Sequence, residues 1–290
     1  MANILKMAAA LFLLILLSGF IPDADKPAYL IYNKNGNVVS YQSLKVQSTG
    51  SDLVFFGELH NNTIAHWLQI ELLQDLASDT TRSTVVGMEM FEADQQLLID
   101  EYFAGLISQS SFENEARLWN NYSTDYKPVL EFAKENDLKL IATNIPRRYA
   151  SAVYGGGLEV LDELSAEAKQ WMMPLPVEVD TDLPGYQNML EMAQGHGGMN
   201  IVYAQAVKDA TMAHFILKNL EEKSRILHLN GSYHSNDYEG IVWYVKRDRP
   251  EIRVLTINTI VEDNINSVNQ DRLQSADLTI VVPSTMTTTY

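Results

Sequence analysis

The sequence predicts an α/β protein: a central, mostly parallel sheet flanked by helices, broken in mid-chain by an irregular helical excursion. Three observations lead there. Short apolar runs with strand character recur along the chain. Segments with apolar residues at helical spacing alternate with them, which implies parallel pairing through crossovers. The composition, 46% hydrophobic and 20% charged over 290 residues, supports a sizeable core.

The first twenty residues read as a signal peptide. Lys6 is their only charge, an apolar run follows from Met7 to Leu17, and Ser18 and Gly19 are small. That run falls short of the roughly 20 residues a bilayer span needs. Leu17-Ser18-Gly19 has the form of a bacterial lipobox, but Phe20 stands where the box requires Cys. The sequence has no Cys, so a lipid anchor at this point and disulfides are both excluded. The expectation is export to the periplasm or cell envelope.

Residues 21–50 read as an N-terminal extension with a hairpin, its β-like pieces around Tyr29–Tyr32 and Val38–Val39 and its turn at Asn35-Gly36. Residues 51–290 read as a single domain. Leu53–Phe56 predicts a strand, and Ile64–Ala77 a helix with Trp67, Ile70, Leu73 and Leu76 on one face. A strand follows from Thr84 to about Glu89, then a helix over Asp94–Phe103 that Gly105 ends. Pro128–Glu135 predicts a helix with Pro at its start, and Leu138–Ala142 a strand. Gly155-Gly156-Gly157 reads as a flexible break, and Pro174, Pro176 and Pro184 mark the excursion. Ile201–Leu220 is the clearest long helix. Strands are predicted at Ile226–Leu229, Val254–Ile260 and Leu278–Val282, with Ile241–Val245 apolar but of undecided type.

The formal charge is −16, and removal of the first twenty residues makes it −17, because only Lys6 is lost. Such a surface repels phosphates, and no basic cluster offsets it, so no nucleic acid partner is expected.

The chemistry-bearing residues gather at strand ends. Gly57-Glu58-Leu59-His60 follows one apolar run and Gly231-Ser232-Tyr233-His234 follows another. In each, Gly allows a sharp backbone exit and His arrives three residues later, at the carboxyl edge where open α/β sheets bind ligands. Glu89 ends a third strand. Glu58, His60, Glu89 and His234 form a nitrogen and oxygen set that suits a divalent metal or general acid–base catalysis. Gln205 and Asp209 share a helix face and would support a His from behind, as would His66. His214 and His228 read as structural.

These residues resemble the ChaN-like haem-binding proteins of the Tiki and erythromycin-esterase superfamily. The likeness runs from Gly57-Glu58-Leu59-His60, with His66 and Gln69, through Gly87-Met88-Glu89-Met90-Phe91, Gln95-Gln96 and Trp119. It continues through Tyr126-Lys127-Pro128, Phe132-Ala133 and Ile141 to Arg147, then Gln205, Asp209 to Ala213, Gly231 to His234 and Gly240. The resemblance implies a bacterial protein of haem or iron acquisition, a homodimer around a face-to-face haem pair, and outer-membrane haem transport machinery as a partner. In the wider superfamily it implies a metal-dependent hydrolytic site at Glu58, His60, Glu89 and His234. For haem, the excursion and its flanks offer Tyr154, Tyr186, His196, Met189, Met192 and Met199, because haem iron accepts Tyr, His or Met. Haem binding is the leading expectation and a metal-dependent hydrolase the alternative.

Overall fold

The structure, a computed structural model, describes residues 26–290. The segment read as a signal peptide lies outside the described residues. Eight strands form one sheet: β1 (Leu30–Asn33), β2 (Val38–Val39), β3 (Leu53–Glu58), β4 (Ser83–Glu92), β5 (Lys139–Asn144), β6 (Ser224–Gly231), β7 (Val254–Glu262) and β8 (Leu278–Pro283). Their order across the sheet is β2-β1-β8-β7-β3-β6-β4-β5. All pairs from β8 to β5 are parallel, and β1 pairs antiparallel with both β2 and β8. The expected α/β class with a mostly parallel sheet is what the chain adopts.

Alternation along each strand sends side chains into two cores. Val54 and Phe56 of β3 join Val86, Met88, Leu227 and Leu229 on one face, under Leu68, Leu72 and Leu76 of the helix Thr63–Ser78. Leu53 and Phe55 join Val85, Ile141 and Ile226 on the other. Val207, Ala210, Ala213 and Ile216 of the long helix Asn200–Asn219 cover that side, with the helices Arg147–Gly156 and Ile241–Asp248. Burial on both faces explains why these strands read as unbroken apolar runs. Among the described residues no helix is long and apolar enough to cross a membrane.

Several expectations change. The hairpin around Asn35-Gly36 forms, but β1 is stitched into the sheet along β8 and a helix, Tyr41–Gly50, follows. The hairpin thus forms one edge of the sheet. Gly155-Gly156-Gly157 is no flexible break. Gly155 and Gly156 end the helix Arg147–Gly156, and Gly157, at φ +83, caps it by donating its N–H to the Val153 carbonyl. Ile241–Asp248 is helical. The excursion carries the helix Pro184–Met192, which returns onto the domain through Tyr186.

Strand order positions the site. The chain builds β3, β4 and β5, then β6 inserts between β3 and β4. That places Glu58 opposite Gly231, and Met88 opposite Leu229. The carboxyl ends of β3, β6 and β4, with the two Gly-x-x-His turns and Glu89, thus lie side by side at the centre of the sheet.

Candidate functional site

Glu58 ends β3 with its side chain fully buried. Burial opposes its charge, but His60, His66 and Tyr126 outweigh burial and hold its carboxyl below the usual range. Oε1 accepts from His60 Nδ1 at 3.0 Å and from the Tyr126 hydroxyl at 2.7 Å. Oε2 accepts from Gln69 Nε2 at 2.6 Å and faces His66 Nδ1 at 3.3 Å. Gln69 and His66 are one turn apart on the helix Thr63–Ser78, started by Asn62, whose side chain accepts from the Ala65 N–H. Tyr126 is delivered by a π-helical turn, Tyr122–Tyr126. Behind His66 sits Asp125, 3.4 Å from Nε2, which also accepts from Asn121 and Thr289.

His60 is thereby fixed in orientation. Its Nδ1 is engaged by Glu58, its ring meets Trp119 edge-on at 4.8 Å, and its Nε2 has no hydrogen-bond partner among the described residues. Burial lowers its basicity, but Glu58 and Glu89 outweigh that and raise its pKa above the ordinary value.

The second turn has a different environment. His234 is buried between two carboxylates: Nε2 is 3.1 Å from Glu89 Oε1, and Nδ1 is 2.5 Å from Asp209 Oδ1 and 3.0 Å from Gln205 Nε2. Burial opposes its charge, yet the two acids raise its pKa to about 10. Glu89 is also buried, but His234, His60 and the Gly231 N–H at 2.7 Å bring it down to about 2. One imidazolium cannot compensate both acids. Burial wins at Asp209, whose pKa is raised despite His234 and the Tyr186 hydroxyl at 3.0 Å.

The glycines do not serve as sharp exits. Gly231 has ordinary extended angles, φ −59 and ψ 141, and Gly57 lies inside β3. Both permit close approach. A Cβ on Gly231 would stand 2.7 Å from His60 Cε1, and one on Gly57 would stand 3.0 Å from the Ile257 carbonyl oxygen and Ser232 Cα. The two turns touch where Gly231 meets His60 and where Gly57 meets Ser232.

Glu58, His60, Glu89 and His234 do converge, but as two ion pairs and not as an open ligand set. Among the described residues no group of three or more His, Cys, Asp or Glu is arranged to hold a metal ion. His66, Gln205 and Asp209 stand behind these groups. His228 is structural: burial depresses its pKa to about 4, and its nitrogens meet Asn230 and Thr143.

His60, Glu89 and His234 open onto a cleft of about 710 Å³ lined also by Ile145, Ala150, Ile201 and Ala204, by Tyr154 and Met189, and by the charged Glu92, Arg147 and Lys208. Tyr154 is 45% exposed, and its ring lies against the turn at Gly197, where a Cβ would come within 2.7 Å. Met192, His196 and Met199 are exposed on the adjoining excursion. Tyr186 departs from its expected place on a haem surface. It is 3% exposed and its hydroxyl is spent on Asp209, so it belongs to the His234 network. Sequence reasoning gave no site role to Tyr126, Asp125 or Trp119. Tyr126 and Asp125 sit in a π turn that no regular apolar period marks.

A family model described as haem-binding uptake, Tiki superfamily, ChaN, matches residues 46–245. No curated protein sequence matches the chain. Among solved structures, the chain is similar to ChaN of Campylobacter jejuni, described as binding haem cofacially. The TM-score is 0.65 at 17% identity, over 88% of this chain and 96% of that one. It also resembles a Bacillus cereus protein, TM-score 0.52 at 11% identity over 83% and 90% of the two chains. An erythromycin esterase in its open conformation gives TM-score 0.51 at 11% identity over 84% and 93%. At these identities the structural likenesses speak for the fold, and the family follows from the match over most of the chain. The chain belongs to the ChaN family of haem-binding uptake proteins in the Tiki superfamily.

Proposed function

We propose that the protein is exported and binds haem in the cleft beside the two turns, as part of haem or iron acquisition at the cell envelope. The observation that carries this reading is Tyr154. It is a phenol that lines the cleft together with Met189 and four aliphatic side chains, its ring packed against Gly197. Haem iron accepts a tyrosine axial ligand, and apolar walls with a thioether suit a porphyrin face. His196, Met192 and Met199 form the outer rim against which a second protomer would close, giving a homodimer around a haem pair. Transfer would then involve outer-membrane haem transport machinery.

Haem titrated into the purified protein should give a saturable Soret shift. Tyr154→Phe should weaken binding at least about tenfold, the scale of losing a ligand or a charged hydrogen bond, whereas Tyr186→Phe should leave the spectrum unchanged. Absence of a saturable shift in the wild type overturns the reading. Export is checked by the mass of the mature chain secreted from a bacterial host.

A second reading, a hydrolase, is favoured by one observation. The Glu58–His60 pair orients an imidazole whose Nε2 is unengaged and which lines the cleft. Glu58 would position His60 as general base. His60 must be neutral to act, and its raised pKa moves the acid limb of any rate profile above the ordinary histidine value. An ester or amide turnover unaffected by His60→Ala would remove this reading.

A further inference from the structure

The sheet ends at β5, which pairs with β4 alone, so its other edge carries no strand. A side chain sits on that edge instead. Gln96, which opens the helix Gln96–Phe103, accepts from the Ala142 N–H at 2.7 Å and donates to the Leu140 carbonyl at 2.9 Å. One side-chain amide thus makes the bonds that a peptide unit of a neighbouring strand would make.

Beside this amide runs a groove of about 540 Å³ that shares no lining residue with the cleft. Lys139, the first residue of β5, lines it together with Lys169 and Trp171, and the last turns of the helix Asn200–Asn219 add His214, Phe215 and Lys218. The positive charge there is not compensated. Lys139 and Lys218 make no ion pair and no side-chain hydrogen bond among the described residues, and Lys169 donates to a neutral acceptor, the Asp162 carbonyl, at 2.8 Å. Asp100, the one acid lining the groove, already accepts from Gln96 at 2.8 Å. In a chain with 37 acids against 21 Lys and Arg, three lysines facing one acid reverse the sign of the surface locally.

Lysines on an edge strand ordinarily keep other strands away. They cannot do so against copies of this chain, which are acidic and are attracted by them. The Gln96 amide closes the edge by itself, and the lysines decide which strand is able to displace it.

We propose that the free edge of β5 docks an extended acidic segment of a partner protein, which adds to the sheet in place of the Gln96 amide. Main-chain bonds to Leu140 and Ala142 supply affinity. Alternate side chains of the segment supply specificity, acidic ones against the lysines and apolar ones against Trp171 and Phe215. The site is independent of what the cleft binds.

The test follows fluorescence anisotropy of a short fluorescein-labelled peptide of alternating valine and glutamate, titrated with the full chain. The wild type should bind it saturably. Gln96→Ala should tighten binding by roughly threefold to tenfold, because the incoming strand no longer competes with an internal hydrogen-bonded amide. Lys139→Glu together with Lys218→Glu should weaken it roughly tenfold. The same peptide methylated at every backbone nitrogen keeps its charge and loses its N–H donors, and it should not bind. Circular dichroism checks that the variants fold. No saturable binding by either the wild type or Gln96→Ala overturns the proposal. So does equal binding of the methylated peptide, which would reduce the groove to a charged patch, and so does binding that the lysine reversals leave unchanged.

Discussion

The residue that organises the site most tightly is His234, because one imidazolium is asked to compensate Glu89 and Asp209 together. Its raised pKa stabilises the fold fully below the ordinary histidine value of 6.5, and that contribution is lost as pH rises through about 10. Glu89 has the opposite sign. Its depressed carboxyl contributes fully above the ordinary 4.5 and loses that as pH falls through about 2. The stability difference between wild type and His234→Gln should therefore be largest between pH 4.5 and 6.5, at about 3–5 kcal/mol for a broken buried pair. It should shrink towards both extremes. Chemical denaturation across pH measures it, and a difference independent of pH would contradict the pairing. Gly231 gives a second residue-level prediction. Gly231→Ala should keep the fold at a cost of about 1–3 kcal/mol, and it should displace the His60 ring, whose nearest atom is 2.7 Å from the new carbon. Loss of the downfield His60 Nδ1 proton in NMR would report the broken link to Glu58.

At the level of elements, the site was legible where chemistry coincided with a strong local period. β3 is a short apolar run, and β6 carries Ile226, Leu227 and Leu229 around a buried His228, and both end in the two turns, so Glu58, His60 and His234 could be placed at strand ends from sequence. The helix Thr63–Ser78 was legible as a helix, and with it His66, but its buried face runs through Leu68, Leu72 and Leu76, and Trp67, expected on that face, is 46% exposed. Three features were not. Which glycine atoms meet which ring is a property of strand register, and β6 reaches its place beside β3 only after 165 intervening residues, from 59 to 223. The π turn Tyr122–Tyr126 follows no apolar period of its own, so Tyr126 could not be aimed at Glu58. Tyr186 looked like a surface aromatic in a proline-broken stretch, but Asp209 draws its hydroxyl inward. The π turn supports a direct test. Tyr126→Phe removes a 2.7 Å donor from the buried Glu58 carboxylate. It should destabilise the protein by about 1–3 kcal/mol, as for a buried charged acceptor losing one donor. Asn136→Ala, at the exposed end of the next helix, should change thermal unfolding little; equal losses in both would detach the π turn from the site.

At the level of the whole molecule, the apolar surface is unevenly distributed. Tyr154, which lines the cleft, and Met192 and Met199 on the adjoining excursion are exposed, Met192 at 78%, on a chain whose overall charge is strongly negative. Isolated exposed apolar residues need no explanation, but several around one opening mark a surface that another body covers. Self-repulsion between two acidic chains opposes association, and haem spanning the two clefts would offset it by burying this rim. The free protein should therefore sediment as a monomer and the haem-loaded protein as a dimer. Added salt should tighten the dimer by screening the repulsion. Met192→Glu together with Met199→Glu should keep the loaded protein monomeric while Tyr154 still ligates, because both positions lie on the excursion outside the inner walls of the cleft. Sedimentation velocity with detection at the Soret band reads mass and haem in one run. A haem-loaded wild type that stays monomeric at all salt concentrations would leave the cleft as a site complete in one chain.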